Sequence, residues 1–135
     1  MRRRSFAQTL AAILLSVYAA TPALAAYPER PVRLIVPFAP GGGTDIVGRL
    51  VAERLSTALK QPFIVENKPG AGAMLGAELV AKSPADGYTL LMGTSAELTI
   101  GPNLSPGSLR YHPVDDFIPV ALIGISPNVL LAFPG

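Results

Sequence analysis

Triple glycine, Gly41-Gly42-Gly43, separates a short β-branched run from a long helical stripe, and this junction constrains the fold more than any other feature. The run before it, Val32-Arg33-Leu34-Ile35-Val36, is short, apolar and bounded by prolines, as a buried strand is. After it, Ile46, Val47, Leu50, Val51, Leu55, Ala58 and Leu59 recur at helical spacing. They predict a helix over 44–60 with one apolar stripe facing the core, and an Asp45–Arg49 i,i+4 pair on its polar side. The alternation then repeats. Phe63-Ile64-Val65 reads as a second strand, 73–82 as a shorter helix rich in small residues, and Tyr88-Thr89-Leu90-Leu91-Met92 as a third strand. The order β-α-β-α-β predicts an α/β fold with parallel strands and right-handed crossovers. With 13 glycines and 14 prolines in 135 residues, short elements are favoured over a long-helix bundle. Apolar runs over 117–125 and 128–133 close the chain.

The formal charge of +2 misleads about partners. Arg2, Arg3 and Arg4 precede an apolar run over 6–20, which ends near Ala23-Leu24-Ala25-Ala26. A basic start, an apolar stretch and a small-x-small site describe a secretory signal peptide, 1–25. The remaining chain, 26–135, carries eight basic and nine acidic side chains. A nucleic-acid partner is therefore not expected. With no cysteine and one histidine, disulfides, thiolate metal sites and a His-rich metal site are excluded.

Pro37-Phe38-Ala39-Pro40-Gly41-Gly42-Gly43-Thr44-Asp45 joins the first strand to the first helix. Glycines let backbone N–H groups approach a ligand, and the helix start adds unpaired donors and a partial positive charge. Thr44 is placed to cap the helix or to offer its hydroxyl. A carboxylate or phosphate suits this design, and a tight turn that only reverses the chain is the other reading. Nucleotide motifs fail. Ile46 stands where the third glycine of G-x-G-x-x-G belongs, and Arg49-Leu50 replaces the Lys-Ser/Thr of a P-loop. The looser Gly70-Ala71-Gly72-Ala73-Met74-Leu75-Gly76 fits close helix–sheet packing, because no acidic residue follows the third strand to hold a ribose. Asn67, at the end of the second strand, can reach a ligand with its amide. Gly93-Thr94-Ser95 lies at the carboxyl end of the third strand, where open parallel sheets bind ligands. As a nucleophile Ser95 fails, since Glu97 breaks G-x-S-x-G. A Ser95–His112–Asp115 triad is the weakest reading, with His112 expected in a surface loop. Asp115-Asp116 reads as a solvated turn.

The block from Tyr27-Pro28-Glu29-Arg30-Pro31-Val32 through Gly43-Thr44-Asp45 closely resembles the start of the Bug-type solute-binding proteins, extracytoplasmic receptors of tripartite tricarboxylate transporters. Val65-Glu66-Asn67-Lys68-Pro69-Gly70-Ala71-Gly72, Ala85-Asp86-Gly87-Tyr88-Thr89-Leu90-Leu91, Tyr111-His112-Pro113-Val114-Asp115-Asp116-Phe117 and Pro127-Asn128-Val129-Leu130 resemble later blocks, in order. The resemblance implies a type II periplasmic-binding-protein-like fold, whose two lobes close on a small carboxylate. The family's chains are much longer, so 26–135 is expected to form an incomplete first lobe with a mostly parallel sheet flanked by helices, the second lobe being absent.

Carried over by position, the resemblance implies ligand contacts from Phe38, Ala39, Gly43, Thr44 and Asp45, and from Thr94 and Ser95. The backbone argument adds Gly41, Gly42 and Asn67. Asp45 is expected to organise its loop, since it would repel a carboxylate. The resemblance implies a monomeric receptor without cofactor, metal or catalytic step, working with integral-membrane transporter subunits in the periplasm. A truncated, non-functional fragment is the first rival reading. A small hydrolase or nucleotide-dependent enzyme is the second. If the signal is removed at Ala25, the exported protein has the intact mass of residues 26–135. A mass that includes 1–25 contradicts this processing.

Overall fold

The computed structural model describes residues 27–104, 106–107 and 109–127. The segment read as a signal peptide and the apolar run 128–133 lie outside the described residues. Strand β1 (Val32–Val36), helix α1 (Gly43–Leu59), strand β2 (Phe63–Asn67), helix α2 (Met74–Ala81) and strand β3 (Thr89–Leu91) follow in that order. A 3-10 turn, Ala71–Ala73, leads into α2. A π-helical turn, Ala96–Ile100, leads into a short helix α3 (Gly101–Leu104).

The sheet order is β2-β1-β3, with both pairs parallel. Val32 pairs with Phe63 and Val36 with Asn67, while Arg33 pairs with Thr89 and Ile35 with Leu91. The ladder runs past the third strand's formal ends, since Arg33 N–H donates to Tyr88 O at 2.9 Å and Met92 N–H to Ile35 O at 2.8 Å. From β1 the chain moves outward through α1 to β2, then back across β1 through α2 to β3. Right-handed crossovers in opposite directions put α1 and α2 on opposite faces. On the α1 face Val32, Leu34, Ala52 and Phe63 are buried, with Leu55, Val65, Leu90 and Met92 packed against them. Strand alternation sends Ile35 to the other face, where it is fully buried.

The first helix presents only part of its expected stripe to the sheet, with Val51 and Leu55 half-buried. Its buried residues are Asp45, Gly48 and Ala52, while Ile46 is 62% and Leu50 53% exposed. The cause is close approach. A Cβ at Gly48 would lie 3.0 Å from Val36 Cγ2, so the helix docks through its smallest residues and turns larger apolar ones outward. The Asp45–Arg49 pair accordingly begins at a buried carboxylate, not on a solvated face. Gly76 does the same for α2. A Cβ there would meet Pro37 Cβ at 2.7 Å and Lys68 O at 3.0 Å. Of the second loop's glycines, Gly76 thus serves helix–sheet packing, while Gly70 and Gly72 supply the positive φ angles of the turn before α2. The run 117–125 carries neither helix nor strand, and from Ile118 onward it is exposed. No helix among the described residues is long and apolar enough to cross a membrane.

These contacts rank two substitutions. Gly76→Ala drives a methyl into backbone and a proline ring and is expected to cost about 1–3 kcal/mol. Gly48→Ala sets a methyl 3.0 Å from Cγ2 of the buried, β-branched Val36, a crowding partly offset by about 1 kcal/mol of helix propensity, so it is expected to cost less than Gly76→Ala. Urea midpoints measure both. An unchanged midpoint for Gly76→Ala contradicts the packing described.

Candidate functional site

At the carboxyl ends of the strands, β1 turns into α1 on one face of the sheet. The segment after β3 packs with α2 and the turn before it, on the other face. Neighbouring strands whose connections leave on opposite faces open a crevice between them, the place where open α/β sheets receive ligands. The crevice lies between β1 and β3. By chain order, Phe38, Ala39 and Gly41 to Asp45 follow the carboxyl end of β1, and Thr94 and Ser95 follow that of β3.

Gly41 has φ +84°, a left-handed conformation that glycine adopts without steric cost. Gly42 is the N-cap of α1, with φ −75° and ψ 166°, and no side chain caps the helix. Thr44 is therefore not the cap, and the helix starts one residue before the expected position. The backbone N–H groups of Gly43, Thr44 and Asp45 precede the first intrahelical bond, in which Ile46 N–H donates to Gly42 O at 3.0 Å. Gly41, Gly42 and Gly43 are all exposed, and nothing lies within 4 Å of where a Cβ at Gly41 or Gly43 would be. This helix end is open, donor-rich and positively poled.

Asp45 holds the loop in place. Only 2% exposed, it accepts hydrogen bonds from Gly41 N–H at 2.9 Å, Arg49 Nε at 3.0 Å and Asn67 Nδ2 at 2.8 Å. Asn67 Nδ2 also donates to Phe38 O at 3.0 Å, and Asn67 Oδ1 accepts from Arg49 Nη2 at 3.0 Å. Asp45 and Asn67 thus face each other rather than the crevice, and Ala39 contributes exposed backbone. The Arg49 guanidinium, the Gly41 N–H and the Asn67 amide together lower the Asp45 carboxyl from 3.8 to about 2, against the opposing effect of burial.

Across the crevice, Ser95 is exposed, whereas Thr94 is half-buried and bonds to Glu97. His112 is exposed in a turn of its own. Its Nδ1 lies 3.0 Å from Asp115 Oδ2, and its N–H donates to Asp116 Oδ2. Those bonds stay within the turn and do not assemble a triad with Ser95. A separate cleft of about 390 Å³ lies against α2, lined by Asn67, Lys68, Pro69, Leu75, Glu78, Leu79 and Lys82. It includes Asn67, whose amide is engaged with Asp45 and Phe38 O. Sequence reasoning missed two residues. Arg49 joins Asp45 to Asn67, although its i,i+4 spacing was visible. Glu97 stands three residues after Thr94, the spacing of a capping box.

A parallel α/β lobe with an open, anion-receptive crevice at its strand ends has the build of a solute-binding receptor lobe. The chain belongs to the tripartite tricarboxylate transporter family receptors, whose family profile matches residues 47–135. It is 43% identical over 128 residues to Protein BugT of Bordetella pertussis, covering 90% of this chain and 39% of that protein. It is 40% identical over 134 residues to a UPF0065 protein of the same species, covering 99% of this chain and 41% of that protein. Among solved structures, MatC from Rhodopseudomonas palustris with bound malate superposes with a TM-score of 0.68 at 43% identity, over 72% of this chain and 33% of that one. A periplasmic transporter superposes with a TM-score of 0.64 at 49% identity, over 66% of this chain and 30% of that one. The chain thus spans about two fifths of the length of the curated relatives it matches. Its family consists of periplasmic solute-binding receptors, not enzymes.

Asp45 gives the site a pH signature. Its folded carboxyl sits near 2 against an ordinary 3.8, so it stabilises the fold fully above the higher value, and that contribution is lost as pH falls toward the lower one. The melting-temperature difference between wild type and Asp45→Asn is expected to be largest near neutral pH and to shrink below pH 3.8. A difference that persists undiminished to pH 2 contradicts the network.

Proposed function

We propose that this chain is the first-lobe portion of an exported receptor that binds a small carboxylate in the periplasm for a tripartite tricarboxylate-type transport system. One observation supports the reading: the N-terminus of α1 has no side-chain cap, and Gly41 to Gly43 before and at its start are exposed beyond the carboxyl end of β1. Unpaired N–H groups at a helix start bind a carboxylate with charge-assisted hydrogen bonds. The residues proposed to meet it are Gly42, Gly43 and Thr44, with Ser95 opposite, while Asp45 and Asn67 hold the loop. Segment 1–25 serves as the export signal, and the membrane subunits of the transporter are the partners. In the complete receptor a second lobe closes over the ligand, and closure signals occupancy to the membrane partner. The ligand is released unchanged.

A second reading has an observation of its own. Ile46, Val47 and Leu50 form an outward apolar patch on α1, and Ile118, Val120, Leu122 and Ile125 are exposed in the segment after Phe117. Such surface is what an incomplete lobe leaves uncovered. On this reading the chain is silent alone, and binding belongs to a larger fold.

Gly43→Pro distinguishes the two. Proline suits the first helical position, Gly42 already has the extended conformation that precedes proline, and the space around residue 43 is open. The substitution removes one N–H from the crevice and leaves the helix intact. Malate, the ligand seen in MatC, is the first probe, followed by other di- and tricarboxylates. Calorimetry is expected to show binding by the wild type and a loss of about 10- to 100-fold in Gly43→Pro at unchanged melting temperature. Equal affinity in both proteins contradicts the site. Absence of binding in a folded wild type favours the second reading.

A further inference from the structure

Glu97 is fully buried, and no cation pairs with it among the described residues. Burying a carboxylate is costly unless its oxygens are satisfied. Here both are satisfied by one residue. Thr94 N–H donates to Oε1 at 2.5 Å, and the Thr94 hydroxyl donates to Oε2 at 2.7 Å. One lone pair of that hydroxyl is engaged as well, since Ala96 N–H donates to Thr94 Oγ1 at 3.1 Å. The backbone around Glu97 is fixed from a third direction, where Tyr111 Oη donates to Glu97 O at 2.6 Å. Gly93 makes room for this arrangement, because a Cβ there would lie 2.9 Å from Leu98 Cδ1.

We infer that Glu97 is a positioning residue for the crevice: its carboxylate turns the Thr94 hydroxyl inward and leaves Ser95 as the hydroxyl that meets a ligand. This rests on the receptor reading above and makes it more specific. The two loops flanking the crevice follow one plan. In each, a buried carboxylate accepts a loop N–H, Gly41 for Asp45 and Thr94 for Glu97, and so consumes the inward-facing donor. The neighbouring residues, Gly42 to Thr44 and Ser95, are left facing outward. Thr94 and Ser95 are adjacent and chemically alike, so sequence treats them as equivalent. The Glu97 hydrogen bonds make them different.

The experiment compares Thr94→Val, Ser95→Ala, Glu97→Gln and Glu97→Ala by calorimetry with malate and by melting temperature. Ser95→Ala is expected to lower affinity about tenfold at unchanged melting temperature, because it removes a hydrogen bond to a charged ligand and none within the fold. Thr94→Val is expected to lower the melting temperature and to weaken binding only while Glu97 is present, so that Thr94→Val combined with Glu97→Ala binds no worse than Glu97→Ala alone. Glu97→Gln, which keeps an acceptor, is expected to recover most of the affinity lost in Glu97→Ala. If Thr94→Val costs as much affinity in the Glu97→Ala background as in wild type, the Thr94 hydroxyl touches the ligand and the inference falls. Hydrogen exchange at the Thr94 amide needs no ligand. Slow exchange in the wild type supports the Glu97 clamp even if malate does not bind, whereas rapid exchange overturns the clamp whatever the receptor reading's fate.

Discussion

The buried carboxylate of Asp45 is the contact on which the crevice depends. It joins three parts of the chain that are separate in sequence: the glycine turn, the first helix and the end of the second strand. Gly41 holds its left-handed conformation against this carboxylate, Arg49 neutralises it, and Asn67 fixes it to the sheet. Because Arg49 pairs with it, the charge of this carboxylate, which lies in the helix's own first turn, is offset at the helix start.

The helices reach their positions by being small where they touch the sheet. Gly48 and Ala52 bring α1 against β1, and Gly76 brings α2 against Pro37 and the carbonyl of Lys68. Close docking holds α1 against β1 directly after the turn at the strand's carboxyl end, with its first N–H groups uncapped. Its consequence is the outward apolar face at Ile46, Val47 and Leu50. The site and that uncovered surface therefore have a common origin.

Much of this was legible in the sequence, and the exceptions have physical reasons. The three strands and two main helices follow from period and punctuation, because β-branched runs and glycine or proline breaks act locally. The parallel order follows from the alternation of strands and helices. The facing of α1 was not legible, since hydrophobic periodicity assumes that the largest apolar residues face the core and is blind to a helix docked through glycine. Asn67 and Thr94 were read as free polar groups at strand ends. Their partners, Asp45 and Arg49 for one and Glu97 for the other, are set by tertiary packing and by a capping-box spacing that was present but not read. Gly42, Gly43 and Ser95, read from sequence as candidate ligand contacts, are exposed.

The central claim is that the crevice at the start of α1, and not the cleft against α2, receives a small carboxylate. A titration of the labelled protein with malate, followed by amide chemical shifts, tests this most directly. The account predicts that the amides of Gly42, Gly43, Thr44 and Ser95 shift with a common saturation curve while those of Leu75, Leu79 and Lys82 stay in place. Saturable shifts confined to Leu75, Leu79 and Lys82 would contradict it.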